Sequence, residues 1–169
     1  MISLRKLRSW LRGLNGWQMF LIVCFLLFAI LRYLKKRILK NNIAYYIEYL
    51  LINAGIDKLT ARFIVSQSAF ETGNFASKVF IENNNAFGMK EAVKRLTTNI
   101  GTKNNHADYK DIDDSVKDYI LYYSYQSYPK KFQTLKDFVR AIKEKSYFES
   151  DEEKYLKGTE YYYNLYYGS

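Results

Sequence analysis

The residue in this chain best suited to chemistry is a single acid, Glu71, within Ser66-Gln67-Ser68-Ala69-Phe70-Glu71-Thr72-Gly73. A short loop later the chain reads Asn84-Asn85-Ala86-Phe87-Gly88-Met89-Lys90. The stretch from Asp57 to Phe70 has helix-forming composition and Thr72-Gly73 is a stop signal, so Glu71 falls in the last turn. There a carboxylate meets the negative end of the helix dipole, and Phe70 and Phe75 lie close by in sequence. Both the field and burial favour the protonated form. A carboxylic acid kept neutral near pH 7 can protonate a leaving oxygen. The alternative open to any acid at a helix end is a solvated surface carboxylate.

The elements that must position Glu71 read as a series of helices. The first covers Asn42 to Ala54, where Ile43, Ile47, Leu50, Leu51 and Ala54 share a face and Gly55 stops it. Asp57 caps the helix that ends at Glu71. Residues 83–110, rich in Asn, Gly and Thr, predict a loop and a small hairpin. Helices resume over Asp114 to Gln126, break near Pro129, continue from Thr134 to Lys145, and finish from Asp151 to about Tyr166.

Gln67 to Gly73 and Asn84 to Lys90 together resemble the signature of the glucosaminidase family of peptidoglycan hydrolases. Gly101, His106-Ala107-x-Tyr109, Asp114-Ser115-Val116-x-Asp118-Tyr119, and finally Tyr147, Asp151 and Tyr155 follow in the same order. The resemblance covers about residues 43–167. It implies a mainly α, lysozyme-like helical domain with a small β-hairpin lobe that cleaves cell-wall glycan, with Glu71 matching the general acid.

A glycosidase of the inverting kind needs a second carboxylate across its groove to activate water, and a retaining one a closer nucleophile. Asp108, near the hairpin, is the first choice, with Asp111 and Glu91 as further candidates. Assistance by the sugar's acetamido group would remove the need. For substrate contact the expected residues are Gln67, one turn before Glu71, then Asn85, Phe87 as a wedge between the lobes, and Tyr109 beside the hairpin. Tyr147 joins them by matching the family's Tyr-x-x-Asp-type segment, here with a looser spacing. Each has a plainer reading as well. Asn and Gly shape tight loops, and tyrosines at helical spacing, such as Tyr119, Tyr122 and Tyr123, mark a core-facing stripe.

Charge is unevenly distributed. The chain has 169 residues and a formal charge of +9, and residues 1–40 hold nine basic side chains and no acid. The remaining 17 basic residues balance the 17 acidic ones. A formally neutral domain is not the electrostatic footprint of a nucleic-acid binder. The excess instead flanks an apolar segment. The uncharged stretch Gly13 to Leu31 is 19 residues, close to the length that crosses a bilayer as a helix. Trp17 and Tyr33 would sit at the interfaces. No small-x-small cleavage site follows, so an uncleaved signal anchor is expected rather than a removed leader.

The predicted organisation is a basic segment over 1–15, a transmembrane anchor over 16–34, a basic linker over 35–42 and the catalytic-type domain over 43–169. Basic residues flank the anchor almost equally, so orientation follows from function, with the domain on the cell-wall side. Cys24, the only cysteine, lies in the anchor, and His106 is the only histidine. Disulfides, metal sites and Cys-His catalysis are not expected. No cofactor is implied.

The leading expectation is therefore a membrane-anchored hydrolase of the β-1,4 bond between N-acetylglucosamine and N-acetylmuramic acid, acting on peptidoglycan strands. The alternative is a non-catalytic wall-binding or assembly module, in a secretion apparatus or a phage particle.

Overall fold

The computed structural model describes residues 15–40 and 42–168, which fall into two compact units dividing between residues 41 and 42. The predicted basic segment 1–15 lies almost wholly outside the described residues.

The described residues of the first unit form a single helix, α1 (Gly16–Lys40). Asn15 and Gln18 exchange side-chain and backbone hydrogen bonds at its start, at 2.9 and 3.0 Å, as a reciprocal cap. Most of its large apolar side chains are exposed. Trp17 is 74% exposed and Phe25 72%, and Phe20, Leu27 and Leu31 are likewise exposed. The helix continues through residues 35–40, where the sequence predicts a linker, because Leu, Ile, Lys and Arg are competent helix formers and no breaker intervenes. Among the described residues no helix is long and apolar enough to cross a membrane. The span predicted over 16–34 is thus not shown. Its strictly apolar core, Met19 to Leu31, has 13 residues, whereas a span needs about 20.

The second unit is helical with one small hairpin. Helix α2 (Ile43–Asn53) ends where Gly55 takes φ +87°, a conformation that favours glycine. Asp57 caps α3 (Lys58–Glu71) by accepting from the backbone of Leu59 and Thr60, an arrangement that contributes about 1 kcal/mol. Thr72 and Gly73 end α3 as the composition predicts. A short helix, α4 (Lys78–Asn83), follows a Ser77 cap and stops at Asn84 in the left-handed region. Strands β1 (Gly101–Lys103) and β2 (His106–Asp108) pair antiparallel, with Thr102 opposite Ala107. Three helices complete the unit: α5 (Ile112–Tyr125), α6 (Leu135–Glu144) and α7 (Glu152–Tyr167). Asp111, Thr134 and Asp151 cap them in turn.

The core is built around α3. Ala61, Ile64, Val65 and Ala69 of α3 are completely buried, with Ile47 and Leu51 from α2, Val116 and Tyr119 from α5, and Phe138 and Ile142 from α6. Helix α7 lies along α3, and the approach is closest at Gly158, where a Cβ would come within 2.2 Å of Phe70. The last turn of α3 is therefore clamped between the loop after α4 and the start of α7. Those two segments make the site.

Candidate active site

Three consecutive asparagines organise the loop that faces Glu71. The Asn83 amide donates to the carbonyl of Lys103 and, at 3.4 Å, to that of Ala107, which ties α4 to the hairpin. Asn84 supplies the left-handed turn and donates to the Tyr109 carbonyl at 2.9 Å. Asn85 is fully buried. It donates to the carbonyls of Met89 and Ala107, both at 2.9 Å, and accepts from the Phe87 and Met89 N–H groups. These bonds satisfy the polar groups of a buried loop from within. Two serines then fasten the loop to the helices: Ser68 of α3 donates to the Ala86 carbonyl, and Ser115 of α5 accepts from the Ala86 N–H at 3.0 Å.

The loop so fixed carries Gly88 past the acid. Gly88 has φ +63°, and a Cβ there would stand 3.9 Å from Glu71 Oε2. Beneath it the Phe87 ring stacks on Tyr119 with centroids 4.0 Å apart. The backbone of Phe87 and Gly88 thus floors a groove of about 410 Å³, whose walls include Glu71, Lys90, Glu91, Arg95, Tyr122, Tyr147 and Phe148.

The wall opposite the loop comes from the turn between α6 and α7. Ser146 adopts φ +56° after α6, and the Lys143 ammonium donates to the carbonyls of Phe148, Glu149 and Ser150. That turn presents Tyr147, whose hydroxyl donates to the Phe87 carbonyl at 2.9 Å. One turn into α7, the Tyr155 hydroxyl donates to Glu71 Oε1 at 2.6 Å. The Tyr155 ring lies flat on Phe148, with centroids 3.7 Å apart, and edge-on to Phe70.

Glu71 is half-buried, and burial pushes its pKa above the ordinary carboxylate value, against the opposing pull of the Tyr155 hydrogen bond. Burial also raises Tyr155 and Tyr147 far above the usual phenol range, and the Glu71 charge adds to both shifts. Both phenols therefore stay protonated and donate. A carboxyl with a raised pKa, one oxygen held and the other facing an open groove, is an arrangement suited to giving up a proton to a bound oxygen.

A second polar cluster props the loop beyond Glu91. Arg95 forms a two-pronged ion pair with Asp118 of α5 at 2.7 and 2.9 Å, and the Tyr109 hydroxyl donates to the same carboxylate at 2.7 Å. Although burial alone would raise Asp118, Arg95, Thr97 and Tyr109 together hold it below the usual carboxylate range. Arg95 also lies 5.6 Å from the centre of the Tyr122 ring.

Residues 49–167, well over half of the chain, match the family model Glucosaminidase, described as mannosyl-glycoprotein endo-beta-N-acetylglucosaminidase. The chain belongs to the glucosaminidase family. No curated protein and no solved structure gives a match. Family membership points to glycoside hydrolysis, and in the glucosaminidase domain the groove beside Glu71 is where the geometry suits that reaction.

Of the residues expected from sequence, Glu71, Phe87, Tyr147 and the further candidate Glu91 meet at the groove of the glucosaminidase domain. The others do not line it. Gln67 is fully buried and accepts from Tyr119 at 2.7 Å. Asn85 is used up inside the loop. The Tyr109 hydroxyl is turned to Asp118. Asp108 also lies outside the lining: β2 buries Ala107, so its neighbours His106 and Asp108 occupy the opposite face of the ribbon. The second carboxylate on the groove is Glu91, which is exposed. Sequence reasoning gave no role to Tyr155, the direct partner of Glu71, or to Arg95. Tyr155 sits four residues after the Asp151 cap, which places it one turn into α7, but its partner is 84 residues away.

Proposed function

We propose that this protein is a peptidoglycan hydrolase that cleaves the β-1,4 bond between N-acetylglucosamine and N-acetylmuramic acid, with Glu71 as its general acid. The observation that carries this reading is the half-buried Glu71 carboxyl on the wall of an open groove, its pKa raised by burial. A glycan strand lying along the groove brings its bridging oxygen to the free oxygen of Glu71. Proton transfer there makes the departing sugar a neutral alcohol as positive charge develops on the ring being cut.

Glu91 is the residue of this chain suited to accept a proton from the attacking water. It is the other acid on the groove, in the loop facing α3. Tyr147, Tyr122 and Phe148 supply aromatic surface for sugar rings. Attachment to the membrane through α1 belongs to the same proposal. Its support is the row of exposed apolar side chains from Trp17 to Leu31, followed in sequence by Arg32, Lys35, Lys36 and Arg37; the domain's place on the cell-wall side follows from its substrate, since basic residues flank the helix almost equally.

Digestion of purified cell walls by wild-type protein and by Glu71→Gln tests the reading. The variant is expected to lose about 10²–10⁴-fold in rate, the usual contribution of a general acid. Equal release of fragments by the two would overturn it. Glu91→Gln is expected to slow the reaction, whereas Asp108→Asn leaves it near the wild-type rate.

A further inference from the structure

We propose that Tyr155 is a positioning residue that divides the two oxygens of Glu71, pinning Oε1 so that Oε2 alone presents the transferable proton to the groove. This rests on Glu71 being the acid.

The division follows from the single proton of the Tyr155 hydroxyl and from the packing that holds its ring. A phenol has one proton to give. Tyr155 gives that proton to Glu71 Oε1, at 2.6 Å. The ring cannot swing away, because Phe148 lies parallel to it at 3.7 Å and Phe70 meets its edge. Glu71 Oε2 faces the Gly88 floor, and an acid proton on Oε2 costs no existing hydrogen bond, whereas one on Oε1 would compete with Tyr155.

The titratable and charged groups facing Glu71 are Tyr155 from α7, Tyr147 from the preceding turn, Tyr122 from α5, and Lys90, Glu91 and Arg95 from the loop. Tyr155 alone among them has a hydrogen bond to the Glu71 carboxyl in the structure. A hydrogen bond donated to a carboxylate favours the ionised form, so Tyr155 opposes the upward push of burial. Its loss raises Glu71 further.

The test is the carboxyl ¹³C titration of Glu71 in the full-length protein, assigned by the signal missing in Glu71→Gln, together with pH profiles of wall digestion. In Tyr155→Phe the Glu71 midpoint is expected to rise by about one pH unit, since a hydrogen bond to a charged group is worth at least that. The alkaline limb of kcat/KM should rise with it, and kcat should fall about tenfold with KM nearly unchanged. A purely structural tyrosine would lower activity without moving the midpoint. An unchanged or lowered midpoint overturns the proposal. Phe keeps the stacked ring, and if that variant fails to fold, Phe148→Leu, which removes the ring that holds Tyr155 against Glu71, gives the same reading with a smaller upward shift, no shift again being contrary. If the midpoint rises but wild-type protein cuts no wall, the positioning stands and the hydrolase reading falls. If Glu71→Gln is inactive while Tyr155→Phe leaves the midpoint in place, only the positioning falls.

Discussion

Glu71 is held in a state that suits catalysis and works against folding. Burial raises its folded-state pKa above the unfolded value, so its proton-linked stability is fully present below the unfolded pKa and declines as pH rises through the folded one. Ionising the buried carboxyl as pH rises therefore weakens the native state. Glu71→Gln, which cannot ionise, is therefore expected to melt a few degrees higher than wild type at pH 7 while losing its activity, with the gap closing near pH 4. Thermal unfolding at the two pH values checks this. The activity profile should have the matching sign: the acid must be protonated, so the rate falls as pH rises through the Glu71 pKa, above the ordinary carboxylate range. Gly88 is sensitive for a different reason. Ala there adopts φ +63° at a cost of about 1–2 kcal/mol and projects a methyl toward Glu71 Oε2. Gly88→Ala is expected to lower kcat/KM at least tenfold, measurable on wall digests.

The elements depend on two contacts that can be broken separately. Gly158 permits α7 to approach α3, and an added Cβ would lie 2.2 Å from the Phe70 ring. Replacing a helical Gly by Ala gains about 1 kcal/mol in propensity, but overpacking costs about 1–3 kcal/mol. Gly158→Ala is expected to be net destabilising in denaturant unfolding and to disturb Glu71 through Phe70 and Tyr155. Arg95 and Asp118 hold the Glu91 loop to α5. The Asp118 side chain is 1% exposed, so Arg95→Met leaves a buried charge unpaired at a cost of about 3–5 kcal/mol. Because Asp118 is held below its ordinary value, its contribution is present above the unfolded pKa and disappears as pH falls through the folded one.

The helices were legible in the sequence because their ends are marked locally. Asp57, Thr134 and Asp151 each cap the helix they announce, and Gly55 and Thr72-Gly73 stop theirs. Helix α4 was not legible: six residues with one run of three apolar side chains carry no helical period. The site was legible where sequence neighbours make it and, for Tyr147, through the family resemblance. Glu71 and the Asn84–Lys90 loop could be read from the chain, but Tyr155 meets Glu71 through tertiary packing. Asp108 and Glu91 could be told apart only by the face that β2 turns inward, and a strand of three residues leaves that register open.

At the scale of the whole molecule, the charge and apolar surface are concentrated in the first unit and the chemistry in the second. The domain from residue 42 carries its own core, so a fragment 42–168 is expected to unfold cooperatively as a soluble species. The full chain, with α1 exposing Trp17, Phe20, Phe25 and Leu31, is expected to float with lipid vesicles, and the fragment is not. Flotation of the two species side by side measures this, and equal behaviour would remove the membrane from the account.

The central claim is that Glu71 protonates a glycosidic oxygen of the bacterial wall, and mass spectrometry of wall digests made in heavy-oxygen water tests it most directly. Wild-type protein should release fragments with a new reducing end carrying one heavy oxygen, the terminal sugar identifying the bond cut, and Glu71→Gln should release almost none. Anhydro ends without heavy oxygen, or identical products from both proteins, would contradict it.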